Sequence, residues 1–434
     1  MIERAADSEP ESSNHLDSAA PATRLGAFRA LHYRNFRLFF GGQLTSLIGT
    51  WMQQVAQGWL VLKLTNSAWM LGVVAFATFA PIFLFALFAG VVVDHVDRRR
   101  LIMCTQTILM LDAFALAILT FTGVVRVEDV IILAAINGVV SAFDMPGRQT
   151  FLVEMVGGRA DLPNAIALNS MLVNGARALG PAIAGLLIAV IGLSGCFFLN
   201  GLSYIAVILS LYAMDVPRRE GMRFGSVMWL RLREGVTYVW RHRPSFYLMV
   251  LVAITSGFAF QYSVLIPLFA QDVLHRGAQA YGFLLGAQGF GAVLGAAVMA
   301  STSSQPRALR LNLIFGVFAM AIAIAVFGLS PLYGLSIGAQ MVIGAGMMNY
   351  MAATNTLVQL FVTDELRGRV MSIYTMSFIG LAPIGSLEVG FTGAHLGPRS
   401  ATLICAAVGL GCALFLLTKL KLLAEGQLAR EQTA

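Results

Sequence analysis

The chain of 434 residues is 58% hydrophobic and only 12% charged, well below the roughly 25% charged residues of a soluble domain, so its solvent is lipid. A formal charge of +7 resides in loops that alternate along the chain rather than in one groove-binding patch, which argues against a nucleic-acid partner. The four cysteines, Cys104, Cys196, Cys405 and Cys412, stand in apolar runs without framework or metal-ligand spacing.

Residues 1–35 open the chain as a tail. Its first 23 residues are polar and acidic and lack the basic flank and apolar centre of a cleavable signal. Disorder is expected there, and the first span then acts as its own insertion signal. Twelve apolar runs follow at 38–63, 69–92, 101–123, 129–151, 163–191, 194–214, 246–271, 278–300, 310–329, 332–361, 369–394 and 400–421. Each reaches or exceeds the length of about 20 residues that crosses the hydrocarbon. The long interval 215–245 divides them into two sets of six, 36–214 and 246–421, and a short tail, 422–434, closes the chain. Within the divide, Val227 to Arg243 places Trp229, Leu232, Val236 and Val239 at helical spacing with Arg233, Glu234 and Arg241 between them. That pattern predicts an amphipathic helix on the membrane surface, with arginines near lipid headgroups.

Basic residues fix an expected orientation. Loops on one side carry 22 Arg and Lys and those on the other carry 4. The rich side is cytoplasmic by the positive-inside rule. Both termini are therefore expected inside a cytoplasmic membrane. The two sets also look like diverged copies. Phe83-Leu-Phe-Ala-Leu-Phe-Ala-Gly aligns with Phe290-Gly-Ala-Val-Leu-Gly-Ala-Ala, and Leu162-Pro-Asn-Ala-Ile-Ala-Leu-Asn with Gly368-Arg-Val-Met-Ser-Ile-Tyr-Thr, at nearly the same offset. Parallel repeats with a substrate path at their interface are a known transporter construction.

Between the second and third runs the chain reads Gly90-Val-Val-Val-Asp94-His-Val-Asp-Arg98-Arg99-Arg100. This resembles the Gly-x-x-x-Asp-x-x-x-Arg-Arg loop of the major facilitator superfamily, with His95 and Asp97 departing from the pattern. Asp144-Met-Pro-Gly-Arg148-Gln, Glu365-Leu-Arg367-Gly-Arg369-Val-Met-Ser and Asp97-Arg-Arg-Arg100 further resemble the branch containing the enterobactin exporter and related drug:proton antiporters. The resemblance covers nearly the whole chain. It implies an all-α integral membrane fold, twelve transmembrane helices in two pseudo-symmetric six-helix bundles. It also implies a gating role for Gly90, Asp94, Arg98 and Arg99, with Gly90 allowing close helix approach. Asp94 would be held by Arg98, by Arg148 or by the amide dipole at the start of span 11. Arg148, Glu154, Arg367 and Arg369 join the expected inner gate. Gly180-Pro181-x-x-Ala-Gly185 resembles the antiporter motif of span 5, where small residues let spans 5 and 8 pack closely.

Charges inside spans are costly in lipid and mark function. Asp112, Asp144, Arg177 and Glu388 fall inside spans 3, 4, 5 and 11. Asp144 and Arg148 are spaced to pair on one helix face. Asp144 is the first candidate for proton coupling, with Asp112 and Glu388 next. Arg177 keeps its charge and calls for a carboxylate or an anionic ligand, with Asp144 or Glu388 as candidate partners. By resemblance spans 1, 4, 7 and 10 line the cavity, which makes Gln57, Asn137, Gln261, Asn349 and Asn355 candidate path residues. Asn174 on span 5 is a further one.

No phosphate-binding Gly-x-x-x-x-Gly-Lys-Ser/Thr loop and no His/Cys metal spacing occurs in the sequence. The chain is expected to be a non-enzymatic, cofactor-free monomer. It would export a hydrophobic or amphiphilic small molecule of the drug or siderophore class against protons, in contact with membrane lipid and not nucleic acid. An uptake permease on the same fold is the alternative. A non-transporting scaffold or sensor is a third reading, opposed by the buried charges.

Overall fold

The computed structural model describes residues 24–156, 161–215, 228–302 and 305–420. The first 23 residues, residues 216–227 of the interval between the halves and the end of the chain, including the expected tail 422–434, lie outside them. A short 3-10 segment, Arg24–His32, occupies the end of what the sequence reads as tail. Then come α1 (Arg34–Thr65), α2 (Ala68–His95), α3 (Arg98–Phe121) and α4 (Val127–Met155). A helical stretch Leu162–Tyr212 is broken at Gly192 into α5 (162–191) and α6 (193–212). The helix α7 (Met228–Arg241) links the halves. The second half holds α8 (Arg243–Val273), α9 (Ala278–Thr302), α10 (Pro306–Leu329) and α11 (Tyr333–Phe361). Its last two spans are α12 (364–396) and α13 (398–418), divided at Gly397.

Gly192 and Gly397 both have positive φ, 72° and 82°. An L side chain is strained there, so glycine makes the tight reversal that turns one long apolar run into two crossings. The two glycines occupy equivalent places, between the last two spans of each half. Counted this way the chain has twelve spans in two six-helix bundles. Ten of them fall within runs apolar enough to cross a membrane by composition alone. The other two, α1 and α11, are diluted by polar groups such as Gln53, Gln54 and Gln57 or Asn349 and Asn355.

Apolar side chains such as Leu84, Phe88, Leu111, Ile118, Phe315 and Ile322 point outward. In water they would be a large liability; in a bilayer they are the solvated surface. Inside, α1 packs on α5 and α6, α2 on α4, and α11 on α9 and α10. α8 departs from regular helix. It passes through a π turn at Thr255–Ala259, a 3-10 segment at Phe260–Leu265 and a second π turn at Phe269–Val273. Irregular backbone at membrane depth survives where protein covers it, and Thr255, Ser256, Ala259, Tyr262 and Leu265 are buried. The Gln261 amide donates to the Ser256 carbonyl at 3.0 Å and satisfies part of the distorted ladder.

The halves meet through glycines. α2 meets α12 at Gly72 and Gly390, and α5 meets α9 at Gly185 and Gly282. A Cβ on Gly185 would fall 2.9 Å from the Gln279 carbonyl oxygen, and one on Gly289 would fall 2.5 Å from the Ala178 Cα. Trp59 of α1 stacks on Tyr281 of α9 at 6.3 Å, and Gln271 donates to Asn66 at 2.8 Å. Each of these contacts lies between mid-depth and the end of the bundle opposite the Asp94–Arg100 loop.

Candidate functional site

The arginine-rich loop is built by two helix ends. Val96 ends α2, and the Asp97 carboxylate accepts from the Arg100 amide at 3.0 Å to cap α3. Arg98 reaches Glu154 at the end of α4, at 2.5 Å, and lies 3.8 Å from Asp94 one turn earlier. Arg99 donates to the Tyr212 carbonyl at 2.9 Å. Among the described residues Arg98 is the ion-pair partner of Asp94, which is 57% exposed. Arg148 is engaged elsewhere. Gly90 also differs from its expected role, since a Cβ there would meet nothing within 4 Å. The named contacts between the halves lie toward the other end of the bundle. Across the divide, Arg369 at the start of α12 pairs with Glu234 of α7. Gly235 packs on Arg369 and Ile373, and the Tyr238 hydroxyl donates to the Phe361 carbonyl at 2.7 Å. So α7 is docked on the second half, while Val236 and Trp240 point outward. Trp229 and Leu232 are outside the described side chains. Arg367 lies on the same first turn of α12 and is half-buried.

Asp144 is fully buried on α4 and makes an ion pair with Arg148 one turn later. Pro146 between them does not interrupt the helix. From α3, Thr105 Oγ1 donates to Asp144 at 2.6 Å and Gln106 Nε2 at 2.9 Å. Arg148 in turn donates to Gln43 of α1 at 2.9 Å. A cation and two neutral donors converge on this carboxylate and fix it in place.

Asp112 is different. It lies near mid-depth on α3 and is 5% exposed. Gln53 Nε2 of α1 donates to its Oδ2 at 3.4 Å, and its Oδ1 has no partner. Among the described residues no cation pairs with it. Gln53 is itself held by Asn200 of α6 at 2.5 Å, and Asn200 accepts from Ser203 at 3.1 Å. Gly49 makes the crossing possible, since a Cβ there would run into Ser203 at 2.6 Å. The result is a carboxyl touched by one neutral amide, Gln53, which Asn200 and Ser203 of α6 hold from behind.

Arg177 sits midway along α5. Its guanidinium lies 5.8 Å from the Trp51 ring of α1. Nη2 lies 3.7 Å from the Met347 sulfur of α11, so the side chain bridges the two halves. Neither Asp144 nor Glu388 forms an ion pair with it among the described residues. Beside it, Gln288 of α9 donates to the Tyr262 hydroxyl at 3.1 Å, and that hydroxyl donates to Gln340 of α11 at 2.9 Å. Glu388 is half-buried on α12, its backbone carbonyl accepting from Thr392 at 3.0 Å.

The remaining amides are mostly occupied locally. Asn174 donates to the Ser170 carbonyl at 2.9 Å and Asn349 to the Ala345 carbonyl at 3.0 Å. Asn355 accepts from Gln359 at 2.7 Å and Asn137 from Ser141 at 3.3 Å. Asn349 Oδ1 is buried without a partner. Gln57 is half-buried near the closed end. Gly180 seats the Trp51 side chain, and Pro181 and Gly185 press on Gly282. The partners Gln43, Gln53, Thr105, Gln106, Asn200, Trp51 and Tyr262 did not stand out as site residues in the sequence. The available signal was that polar residues recur in otherwise apolar spans, which names candidates without saying which ones meet.

The family model described as "Transmembrane secretion effector" matches residues 25–433. The chain belongs to this family of major facilitator transporters. Among proteins of known name, the transporter is 26% identical over 361 residues to the staphyloferrin A transporter of Staphylococcus aureus, covering 81% of this chain and 87% of that one. It is 28% identical over 363 residues to the multidrug efflux pump Tap of Mycolicibacterium fortuitum, covering 80% and 86%. The solved nucleoside transporter NupG shares the fold at TM-score 0.67 and 14% identity, over 89% of this chain and 98% of that one. These relatives are membrane transporters, and the chain is a multi-pass member of the same group.

Proposed function

We propose that the protein is a proton-coupled exporter of amphiphilic small molecules, working by alternating access, with Asp112 as the carboxyl that carries the proton. The reading is supported by one contrast above all. Of two buried acids in the same half, Asp144 is neutralised by an arginine and Asp112 is not. An isolated ionised carboxylate in an apolar interior is prohibitively costly, so such a group binds a proton or gains a compensating charge or water. Losing the proton from Asp112 therefore requires the α1–α3–α6 contact to rearrange. That links its protonation to the angle of α1, which also carries Trp51 and Trp59 to the interface between halves.

The efflux direction rests on the relatives, whose names include a multidrug efflux pump. The excess of basic residues beside Asp94 supports both termini being cytoplasmic in a bacterial-type inner membrane. On that orientation the close contacts between the halves lie toward the outer end, which fits a state that receives cargo from the cytoplasm. Efflux of a neutral, fluorescent, amphiphilic dye from reconstituted vesicles, driven by an imposed pH gradient, tests the coupling. Wild type extrudes the dye, and Asp112→Asn does not respond to the gradient. Gradient-driven efflux at the wild-type rate in Asp112→Asn removes Asp112 from the mechanism. Reporter fusions at both ends test the orientation.

A further inference from the structure

The mechanism above leaves one buried charge unused. Arg177 is fifteen residues from the start of α5 at Leu162 and fourteen from its end at residue 191. At about 1.5 Å per residue, it stands some 20 Å from either end of the helix. Its three methylenes cannot carry the guanidinium to a headgroup layer, as they do for arginines near helix ends. The charge must be met inside the protein. Yet the partners it has there are the face of Trp51 and the sulfur of Met347, an aromatic ring and a weak acceptor. The titratable group it interacts with among the described residues is the Tyr262 phenol, whose hydroxyl is already committed to Gln340 and Gln288. Asp144 is held by Arg148, and Asp112 belongs to the α1–α3–α6 contact.

The site also lies between the halves. Trp51 comes from α1, Arg177 from α5, Met347 from α11 and Tyr262 from α8, so both halves contribute. Arg177 is half-buried rather than sealed. Its backbone is fixed by the packing of Gly289 against Arg177 and Ala178, which holds the guanidinium at a defined place in the interface. A guanidinium with one face toward an aromatic ring still offers its N–H edge, and that edge matches a carboxylate in a two-point contact.

We infer that Arg177 is the seat for an anionic group on the transported molecule, and that the preferred cargo is an organic acid. Its carboxylate takes the guanidinium edge, and its apolar body lies against Trp51 and Met347. A permanent cation at mid-depth favours such a molecule over its neutral analogue and disfavours a cationic one. This names a substrate class for the transport reading and rests on it for its biological meaning, but its test does not use transport.

The test measures equilibrium binding of matched acid and amide probes to the full-length protein in lipid nanodiscs by calorimetry. The pairs are 2-naphthoate with 2-naphthamide, 4-phenylbutyrate with 4-phenylbutyramide, and decanoate with decanamide. In wild type at least one acid should bind tenfold or more tightly than its amide. In Arg177→Gln that difference should fall within twofold while amide binding is unchanged. Arg177→Lys should keep part of it, because an ammonium offers charge without the fork. No acid preference in any wild-type pair, or a preference that persists in a folded Arg177→Gln, overturns the inference. If the glutamine variant does not give monodisperse protein, the lysine variant decides. Acid affinity reduced threefold or more with amide affinity unchanged supports the seat, and unchanged acid affinity overturns it. Dye efflux without acid preference would discard the seat and leave the exporter standing. Acid preference without gradient-driven efflux of any probe would do the reverse.

Discussion

Asp112 and Asp144 are the same residue type on adjacent helices of one bundle, and both are shut away from solvent. Asp144 has an arginine one turn on, a threonine and a glutamine on α3, and through Arg148 a link to α1. Asp112 has one long amide contact and a bare oxygen. The lesson is that burial alone does not make a carboxylate a proton carrier. What matters, on the transport proposal, is whether the fold also supplies a countercharge. Where it does, the acid is a brace. Where it does not, the acid is the part that can change state at least cost.

The largest effect that would break this contrast is on coupling. Asp112→Asn should abolish gradient-driven efflux in vesicles while leaving dye exchange without a gradient intact. Loss of both would mean that the residue holds the fold rather than the proton. Asp144→Asn should act mainly on stability. It strands Arg148 in the bundle, a loss of about 3–5 kcal/mol for a broken buried pair, read as early unfolding of purified protein. Asp112→Asn should shift the same unfolding by less than about 1 kcal/mol, since an amide retains a neutral carboxyl's shape and its contact with Gln53. Equal losses in the two variants would erase the distinction. The pair Asp144→Asn with Arg148→Gln should recover much of what Asp144→Asn loses, because the stranded charge is gone. A smaller effect sharpens the picture. Gln53→Ala removes two interhelical contacts, to Asp112 and Asn200, each worth about 0.6 kcal/mol, and should lower stability by about 1 kcal/mol while altering the pH at which efflux is half-maximal.

A similar contrast holds between the ends of the bundle. Gly72, Gly185, Gly282 and Gly390 lie where backbones nearly touch, whereas Gly90 faces open space. Substituting leucine at Gly282 should prevent closure at the first end, measured as loss of cross-linking between cysteines placed at 66 and 271. Leucine at Gly90 should leave that cross-link unchanged.

Much of the architecture was legible in the chain. The twelve runs fall within a few residues of the helices because lipid imposes a length and an apolar composition on each crossing. The Asp144–Arg148 pair was legible because its spacing is local and helical. The hairpin glycines Gly192 and Gly397 were not singled out, because 43 glycines share the chain and only backbone torsion distinguishes these two. The order of the acids changed once their surroundings were known. Asp144 came first by its motif, but the amide that meets Asp112 comes from α1 and is held in turn from α6, with no local pattern to join them.

The amino-acid order therefore determined the number of crossings, the division into two related halves, the side enriched in arginine and the presence of costly charges within spans. Each is a property of short segments meeting a layered solvent. Which of those charges are neutralised, at which end the halves meet closely, and that Arg177 stands between the halves with no carboxylate partner among the described residues were decided only by tertiary packing. Compensation of a charge depends on groups far apart in the chain arriving within a few ångströms of one another.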